Sequence, residues 1–256
     1  MVDEESGASS QLGVRYLLNK NLLPVQAAIY TYTSNIVCVG HRGLLRLQLT
    51  SRGQSIHTGS PQWSQGQGGI NAVTALASIL IKLEKLRLPY PEHPAFKSLN
   101  CTITPGTTFQ GGEWQGMVPS LAKATVDIRL MPGQESNDIL SVIYWIIEEE
   151  EKLHPGLKVD LVATINLPAA AIPLDHRLVL TAQRIAHSIS GRDWPAMGTG
   201  PANEEYMLIE AGIPTLCGFG ATGGNPYAPD EWVEIASLTQ TMAIYAGIIQ
   251  EYLNNN

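Results

Sequence analysis

The strongest constraint on the fold of this chain is the order of the hydrophobic patterns between residues 44 and 165. Alternating apolar residues predict four strands, over residues 44–50, 99–104, 122–130 and 158–165. Apolar residues at helical spacing predict two helices, over residues 69–87 and 139–151. The order strand, helix, strand, strand, helix, strand is the split βαβ, or ferredoxin-like, arrangement. Both helices should cover one sheet face, leaving the face with Asp127 and Arg129 to solvent or ligand.

The flanking segments have a different pattern, in which helices alternate with short apolar strands. Helices are predicted over residues 11–19, 176–190, 204–211 and 236–252, and strands near 27–30, 36–39 and 214–219. Such alternation is typical of α/β layering. We therefore predict an α/β protein in which residues 1–42 and 166–256 form one discontinuous domain. Residues 43–165 form a ferredoxin-like domain inserted into it.

Charge and composition exclude several classes of partner. The net charge is −7, and the residues after Arg192 include eight acids and no Lys or Arg, so nucleic acid is a poor partner. This acidic stretch is either a solvated face or a surface that meets a cation or a basic partner. No apolar run approaches the roughly 20 residues that a membrane span needs. Three widely spaced cysteines and an acidic start predict a cytoplasmic protein without membrane contact.

Three short segments contain residues suited to chemistry. Glu4 and Glu5 are adjacent carboxylates, which are costly to bury unless a cation holds them; the alternative is that they only complement the positive end of a helix. His57 lies between small residues in a predicted turn, where it is either functional or merely exposed. Arg129, on the polar sheet face, could clamp a carboxylate or form an ion pair with Asp127.

Taken together, five segments in this order resemble the M20 zinc-dependent peptidases and deacylases. That family includes acetylornithine deacetylase, succinyl-diaminopimelate desuccinylase, aminoacylase-1 and glutamate carboxypeptidase. The resemblance rests on the acidic motif, the entry to the inserted domain, the turn around His57, the Val-Pro and Asp-Ile-Arg strand, and the C-terminal signature. These segments are residues 3–5, 39–43, 53–72, 118–129 and 212–231.

The resemblance implies a zinc-hydrolase α/β catalytic domain with a ferredoxin-like lid that forms a homodimer. The implied reaction is hydrolysis of the amide bond of a small N-acyl amino acid or peptide by zinc-activated water. Glu4 would be the general base and Glu5 a metal ligand. His57 would stabilise the tetrahedral oxyanion, typically in the site of the partner subunit. Arg129 would hold the substrate carboxylate, and Asn71 is placed with it as a substrate-binding residue.

The sequence also departs from the family pattern at the metal site. Tyr32 and Tyr227 stand where the family has an acidic and a histidine ligand, and Gly116 stands where it often has asparagine. The histidine and bridging aspartate that precede the double glutamate are absent. Of five ligands only Glu5 remains, whereas a zinc site needs at least three from the protein. We therefore expect an M20-type chain truncated at its N-terminus or inactive, which binds zinc weakly. The alternative is a non-catalytic dimerisation or ligand-binding protein.

Overall fold

The computed structural model describes residues 13–226 and 228–254 of the chain, so Glu4, Glu5 and Tyr227 lie outside the described residues. The helices are α1 (Val14–Asn19), α2 (Pro61–Ser64), α3 (Ala72–Lys85), α4 (Ser136–Leu153), α5 (Arg177–Ser190), α6 (Tyr206–Glu210) and α7 (Ile235–Asn254). The strands are β1 (Ala28–Tyr30), β2 (Val37–His41), β3 (Gly43–Arg52), β4 (Thr102–Gly111), β5 (Leu121–Leu130), β6 (Lys158–Leu167), β7 (Ala170–Ala171), β8 (Ala196–Thr199), β9 (Thr215–Cys217), β10 (Gly223–Gly224) and β11 (Trp232–Val233). Among the described helices, none has both the length and the hydrophobicity of a membrane span.

The chain divides into two compact units. The first unit comprises Met1–Gly43, Glu92–Asn100 and Leu167–Asn256, and the inserted unit comprises Leu44–Pro91 and Cys101–Asn166. The segment Glu92–Asn100 thus belongs to the first unit, although the sequence pattern placed it within the inserted domain. Phe96 explains the difference. Its ring is buried, and it lies so close to β8 that a side chain at Gly198 would collide with it.

The inserted unit confirms the predicted ferredoxin-like arrangement. Its four-stranded sheet has the order β4-β5-β3-β6, and α3 and α4 pack together in one core with it. Alternate residues of β3 and β5 are buried beneath the helices, and their neighbours carry the polar face. This core is built from branched aliphatic side chains, including Leu45, Leu47, Leu49, Leu76, Ile79, Leu83, Val126, Ile128, Ile143 and Ile147.

Short buried strands and flanking helices form the first unit. β2 lies between β7 and β8 in a three-stranded sheet, and β1 pairs in parallel with β9. All five residues of β2 are buried, as is typical of a strand covered on both faces. Its last residue, His41, is buried too, which lowers its pKa to about 4, partly offset by a hydrogen bond to Arg42 O. His41 is therefore neutral at pH 7.

A buried carboxylate joins the two helices of the inserted unit. Glu150 of α4 is 2% exposed, and its Oε2 accepts hydrogen bonds from Ser78 Oγ at 2.9 Å and Lys82 Nζ at 2.6 Å on α3. Burial by itself raises the pKa of Glu150. The hydrogen bonds from Lys82 and Ser78 and the charges of Lys82 and His154 outweigh that effect, so the pKa is lowered. The ion pair therefore stabilises the fold while Glu150 is charged.

We predict that Lys82→Met lowers the free energy of unfolding by about 2 kcal/mol at pH 7, because a buried carboxylate loses its cation. A carboxyl group whose pKa is lower in the folded state stabilises the fold at pH values above its unfolded-state pKa. This stabilisation is lost as the pH falls through the folded-state pKa. The difference in the free energy of unfolding between wild type and Lys82→Met should therefore become smaller in acid. Urea unfolding at several pH values would measure it. Lys152→Met, which removes an exposed pair with Glu149, is the control and should have little effect. An equal loss at every pH would contradict this assignment.

Candidate functional site

His57 lies in an exposed loop that a second segment of the inserted unit holds in place. The loop follows β3 and pairs with the strand-like segment before β5, through a bridge between His57 and Met117. Thr58 donates from its backbone N and from its Oγ1 to Gly116 O, at 2.8 and 3.0 Å. Val118 N donates to Ile56 O at 2.8 Å. The backbone around His57 is therefore fixed although its side chain faces solvent.

Local hydrogen bonds also fix which nitrogen of His57 carries a proton in the neutral ring. The backbone N–H of Gly59 donates to His57 Nδ1 at 3.0 Å, so Nδ1 is an acceptor. A neutral imidazole has one donor and one acceptor nitrogen, so Nε2 carries the proton. The outer nitrogen of an exposed histidine is thus a hydrogen-bond donor, which is what stabilising a developing oxyanion requires.

Two small residues, Ser60 in the loop and Gly116 in the neighbouring segment, shape the surroundings of His57. Ser60 begins α2 by accepting a hydrogen bond from Trp63 N at 3.2 Å, with Pro61 at the first helical position. Gly116 has a φ of +81°, a left-handed conformation that glycine adopts without steric cost. A side chain at Gly116 would begin 3.9 Å from His57 Nε2. The glycine that replaces asparagine in the family pattern therefore leaves space beside the histidine.

Arg129 lies on the polar sheet face and shares one carboxylate with a second arginine. Its Nε donates to Asp127 Oδ1 at 2.7 Å, and Arg46 Nη2 donates to Asp127 Oδ2 at 2.8 Å. The ion pair with Asp127 that the sequence allowed is thus present. Two positive groups share one negative group, so this cluster of Arg46, Asp127 and Arg129 keeps a surplus positive charge. A ligand carboxylate could use that charge.

Asn71 serves as the N-cap of α3. Its Oδ1 accepts hydrogen bonds from Val73 N at 3.0 Å and Thr74 N at 3.2 Å. An N-cap asparagine satisfies backbone donors that have no partner within the helix. The oxygen of this side chain is therefore committed to the helix, and only its amide nitrogen could contact a substrate.

The described residues do not fit a zinc site. Tyr32, which stands where the family has an acidic ligand, is 39% exposed and offers no carboxylate to a metal ion. Nowhere in residues 13–226 and 228–254 do three His, Cys, Asp or Glu side chains group so as to hold a metal ion. The structure therefore gives no geometry for the metal chemistry that the sequence resemblance implied.

A second pair of adjacent carboxylates was missed by the sequence analysis, which counted them with the acidic stretch. Glu204 and Glu205 are 2% and 0% exposed, next to the start of α6. Burial raises the pKa of Cys38 to about 12, with a smaller contribution from the charge of Glu205, while a hydrogen bond to Gly40 opposes the rise. Cys38 is therefore a protonated thiol at neutral pH. The signal that could have found the pair is the same Glu-Glu dipeptide that drew attention to Glu4 and Glu5.

The comparisons with known proteins agree with this fold. Residues 39–155 match the M20 peptidase dimerisation domain. A succinyl-diaminopimelate desuccinylase of Cereibacter sphaeroides is 27% identical over 217 residues, which are 84% of this chain and 53% of that protein. An acetylornithine deacetylase of Proteus mirabilis is 24% identical over 98% of this chain and 62% of its own length. The chain therefore spans about half the length of the desuccinylases that it matches.

Solved structures show the same fold at low sequence identity. Aminopeptidase PepT of Bacillus cereus superposes with a TM-score of 0.76 at 18% identity, covering 98% of this chain and 62% of its own. Bacillus subtilis YXEP, described as a dinuclear metal-binding peptidase of the M20 family, has a TM-score of 0.64 at 16% identity over 94% of this chain and 62% of its own. The fold is therefore the mixed α/β fold of M20 peptidase structures. The chain carries the M20 peptidase dimerisation domain and is related to the deacylases and peptidases of that family.

We predict that Asn71→Ala lowers the free energy of unfolding by about 1 kcal/mol, because α3 loses its cap. Asn71→Asp should restore most of that stability, since aspartate caps as well as asparagine does, but it lacks the amide nitrogen. Comparing the two variants by urea unfolding and by titration with an N-acyl amino acid separates capping from ligand binding. If Asn71→Asp is as unstable as Asn71→Ala, the capping role is wrong.

Proposed function

We propose that this chain acts in the hydrolysis of amide bonds in small N-acyl amino acids or peptides, as an M20-type deacylase or carboxypeptidase. The observation that carries the proposal is the exposed His57, whose proton is held on Nε2 within a loop of the matched dimerisation domain. Relatives with this domain include a desuccinylase and a deacetylase. The lack of disulfides among the cysteines supports a reducing compartment such as the cytoplasm.

The proposed roles follow from what each side chain can donate. His57 Nε2–H donates to the oxygen that becomes negative when the amide carbonyl is attacked. The surplus positive charge of Arg46 and Arg129 around Asp127 attracts the substrate carboxylate. Among the described residues, no three His, Cys, Asp or Glu side chains form a metal-binding group. A site for the metal that would activate the attacking water would therefore also need residues outside the described ranges.

The second candidate is a non-catalytic dimerisation or ligand-binding protein. Tyr32 favours it, since this residue replaces an expected acidic ligand and lies 39% exposed with no metal-binding group among the described residues. Such a protein would retain His57 and the arginine cluster as two separate binding elements, one beside residues 116–120 and the other beside Asp127. The two candidates differ in zinc content and turnover rather than in fold.

We predict that the purified 256-residue chain retains far less than one zinc ion after dialysis, because its described residues do not close a metal site. It should still bind N-acyl amino acids, and His57→Ala should weaken that binding about tenfold by removing a hydrogen bond to a charged or polarised oxygen. His57→Gln, which keeps a donor, is the matched control and should lose less. Mass spectrometry measures the metal content, calorimetry measures the binding, and product detection measures the turnover.

The outcomes separate the two candidates. Stoichiometric zinc with turnover would show that the chain hydrolyses alone and that the predicted weak zinc binding is wrong. Turnover only after the remainder of an M20 catalytic domain is supplied would support the first candidate. Binding without turnover under both conditions would support the second candidate. Equal binding and equal turnover by wild type and His57→Ala would contradict the role proposed for the histidine in either case.

The homodimer is proposed to form at the β4 edge of the inserted unit. β4 is an outer strand, and Phe109 lies opposite the buried Ala124, hence on the face that the helices cover. Phe109 is nevertheless 42% exposed, and Ile81 on the neighbouring helix α3 is 51% exposed. Pro105 and the irregularity that follows it interrupt the first half of the edge. The second half of β4 and the exposed side of α3 therefore form the proposed interface.

We predict that Phe109→Glu and Ile81→Glu each convert the dimer to monomer, because an isologous interface contains each substitution twice and would bury two unpaired charges. Val162→Glu is the matched control. Val162 is 54% exposed on β6, the opposite outer strand, so its substitution should leave the dimer intact. Sedimentation velocity at micromolar concentration reports the result. A dimer that survives both substitutions, or that only Val162→Glu disrupts, would place the interface elsewhere.

A further inference from the structure

The most exposed tryptophan of the chain lies beside the loop that carries His57. Trp114 is 76% exposed, whereas the other four tryptophans are less exposed, down to 3% for Trp194. An exposed indole leaves a large apolar surface in water, and tryptophan is enriched among the residues that dominate binding contacts. Trp114 does not belong to the core of the inserted unit, and the roles proposed above do not use it.

A β-turn fixes the backbone of Trp114 close to the histidine. Met117 N donates to Trp114 O at 3.4 Å, and Gly116, in the third position of the turn, has the positive φ that a type II turn requires. The first and last residues of a β-turn lie within about 7 Å of each other. Met117 forms the bridge with His57. Trp114 therefore lies one turn away from the residue opposite the histidine.

The turn is anchored on both sides. On the side of β4, Gly111 packs so closely that a β-carbon there would lie 2.7 Å from Val73 Cγ2. On the side of the His57 loop, Gly116 O accepts two hydrogen bonds from Thr58, at 2.8 and 3.0 Å. The backbone of Trp114 is thus held in place while its side chain faces solvent. A contact that is fixed before binding costs less entropy to form.

A small cleft connects the indole with the His57 loop. Its volume is about 30 Å³, which is room for one small group. Its walls come from residues 112–114 and 117–121 on one side and from Ser55, two residues before His57, on the other. Trp114 and the His57 loop therefore border one common space.

The charges around this space select the kind of group that fits it. Residues 53–62 and 111–122 contain one charged side chain, Glu113, which is exposed. A carboxylate placed there would meet a like charge and no cation from these segments. The amino acid carboxylate of a substrate has its place at Arg46 and Arg129 instead. The group beside Trp114 is therefore the uncharged acyl chain, which is bonded to the same carbon as the oxygen that His57 contacts.

We propose that Trp114 contacts the acyl chain of the substrate, and that this acyl chain is apolar. The indole covers an aliphatic or aromatic acyl group, while Glu113 disfavours acyl groups that end in a carboxylate. This inference rests on the proposed function, in which His57 Nε2 donates to the oxygen of the amide carbonyl. A succinyl group, the acyl group in the name of the related desuccinylase, is the competing ligand. A role in the dimer contact is the competing explanation for the exposed indole.

Calorimetric titration of the full chain with two probes of the same shape tests the proposal. The probes are N-isocaproylglycine and N-succinylglycine, because an isocaproyl group has two methyl groups where a succinyl group has two carboxylate oxygens. The apolar probe should bind at least about tenfold more tightly. Trp114→Ala should weaken its binding about tenfold, and Trp114→Phe should restore most of the loss. Trp145→Ala, which removes a 60% exposed indole from α4, is the matched control and should change neither affinity.

Two further measurements separate the charge from the indole. Glu113→Gln should raise the affinity for N-succinylglycine about threefold, since an exposed like charge is removed, and leave the affinity for N-isocaproylglycine unchanged. Bound N-isocaproylglycine should also shield Trp114 from fluorescence quenching by acrylamide. The difference between wild type and Trp114→Phe reports that shielding.

The substitutions are at exposed positions, so the variants should fold with unchanged far-UV circular dichroism. Equal affinity for the two probes, or an equal loss of both in Trp114→Ala, would overturn the inference. The proposed function would then still stand if His57→Ala weakens binding. A monomeric Trp114→Ala in sedimentation velocity would assign the indole to the dimer contact and would overturn the inference as well. Failure of both probes to bind the wild type would contradict the proposed function and the inference together.

Discussion

Burial of one face of the four-stranded sheet beneath α3 and α4 is the constraint on which the candidate site depends. Strict alternation along β3 and β5 sends one set of side chains into the core and the other set to the opposite face. A shift of one residue would place arginines in the core. The same register therefore brings Arg46, Asp127 and Arg129 together on the polar face. The end of β3, fixed by the same packing, sets where the loop that carries His57 begins.

The elements of the inserted unit could be predicted from the sequence because their signals are local and periodic. The alternation that predicted residues 122–130 corresponds to β5, and the helical spacing after residue 69 corresponds to α3. The segment around Phe96 could not be predicted in the same way. Its apolar residues satisfy no period, and its position depends on the fit of one ring against Gly198, far along the chain. The strand predicted over 99–104 consequently begins later, at Thr102, after the chain has left the first unit.

The candidate site shows which properties of a residue depend on tertiary contacts. The position of His57 in an exposed turn followed from its small neighbours, but the proton on Nε2 follows from a hydrogen bond with Gly59 that the sequence does not reveal. Asn71 was expected to bind substrate, whereas its oxygen caps a helix. Glu204 and Glu205 were counted as surface acids because adjacent carboxylates are usually exposed. Their burial is a tertiary effect, and Glu205 lies close enough to the buried Cys38 of β2 for its charge to raise the pKa of that thiol.

The structure exposes two apolar surfaces, and they belong to different units. Phe109 and Ile81 lie in the inserted unit, which has a full complement of strands and helices around one core. Met242 and Ile249 lie in the first unit, on a helix whose second apolar side has no packing layer among the described residues. Apolar surface left in water forfeits about 25 cal/mol for each Å² that could be buried. Burial of either surface would therefore stabilise the unit that carries it.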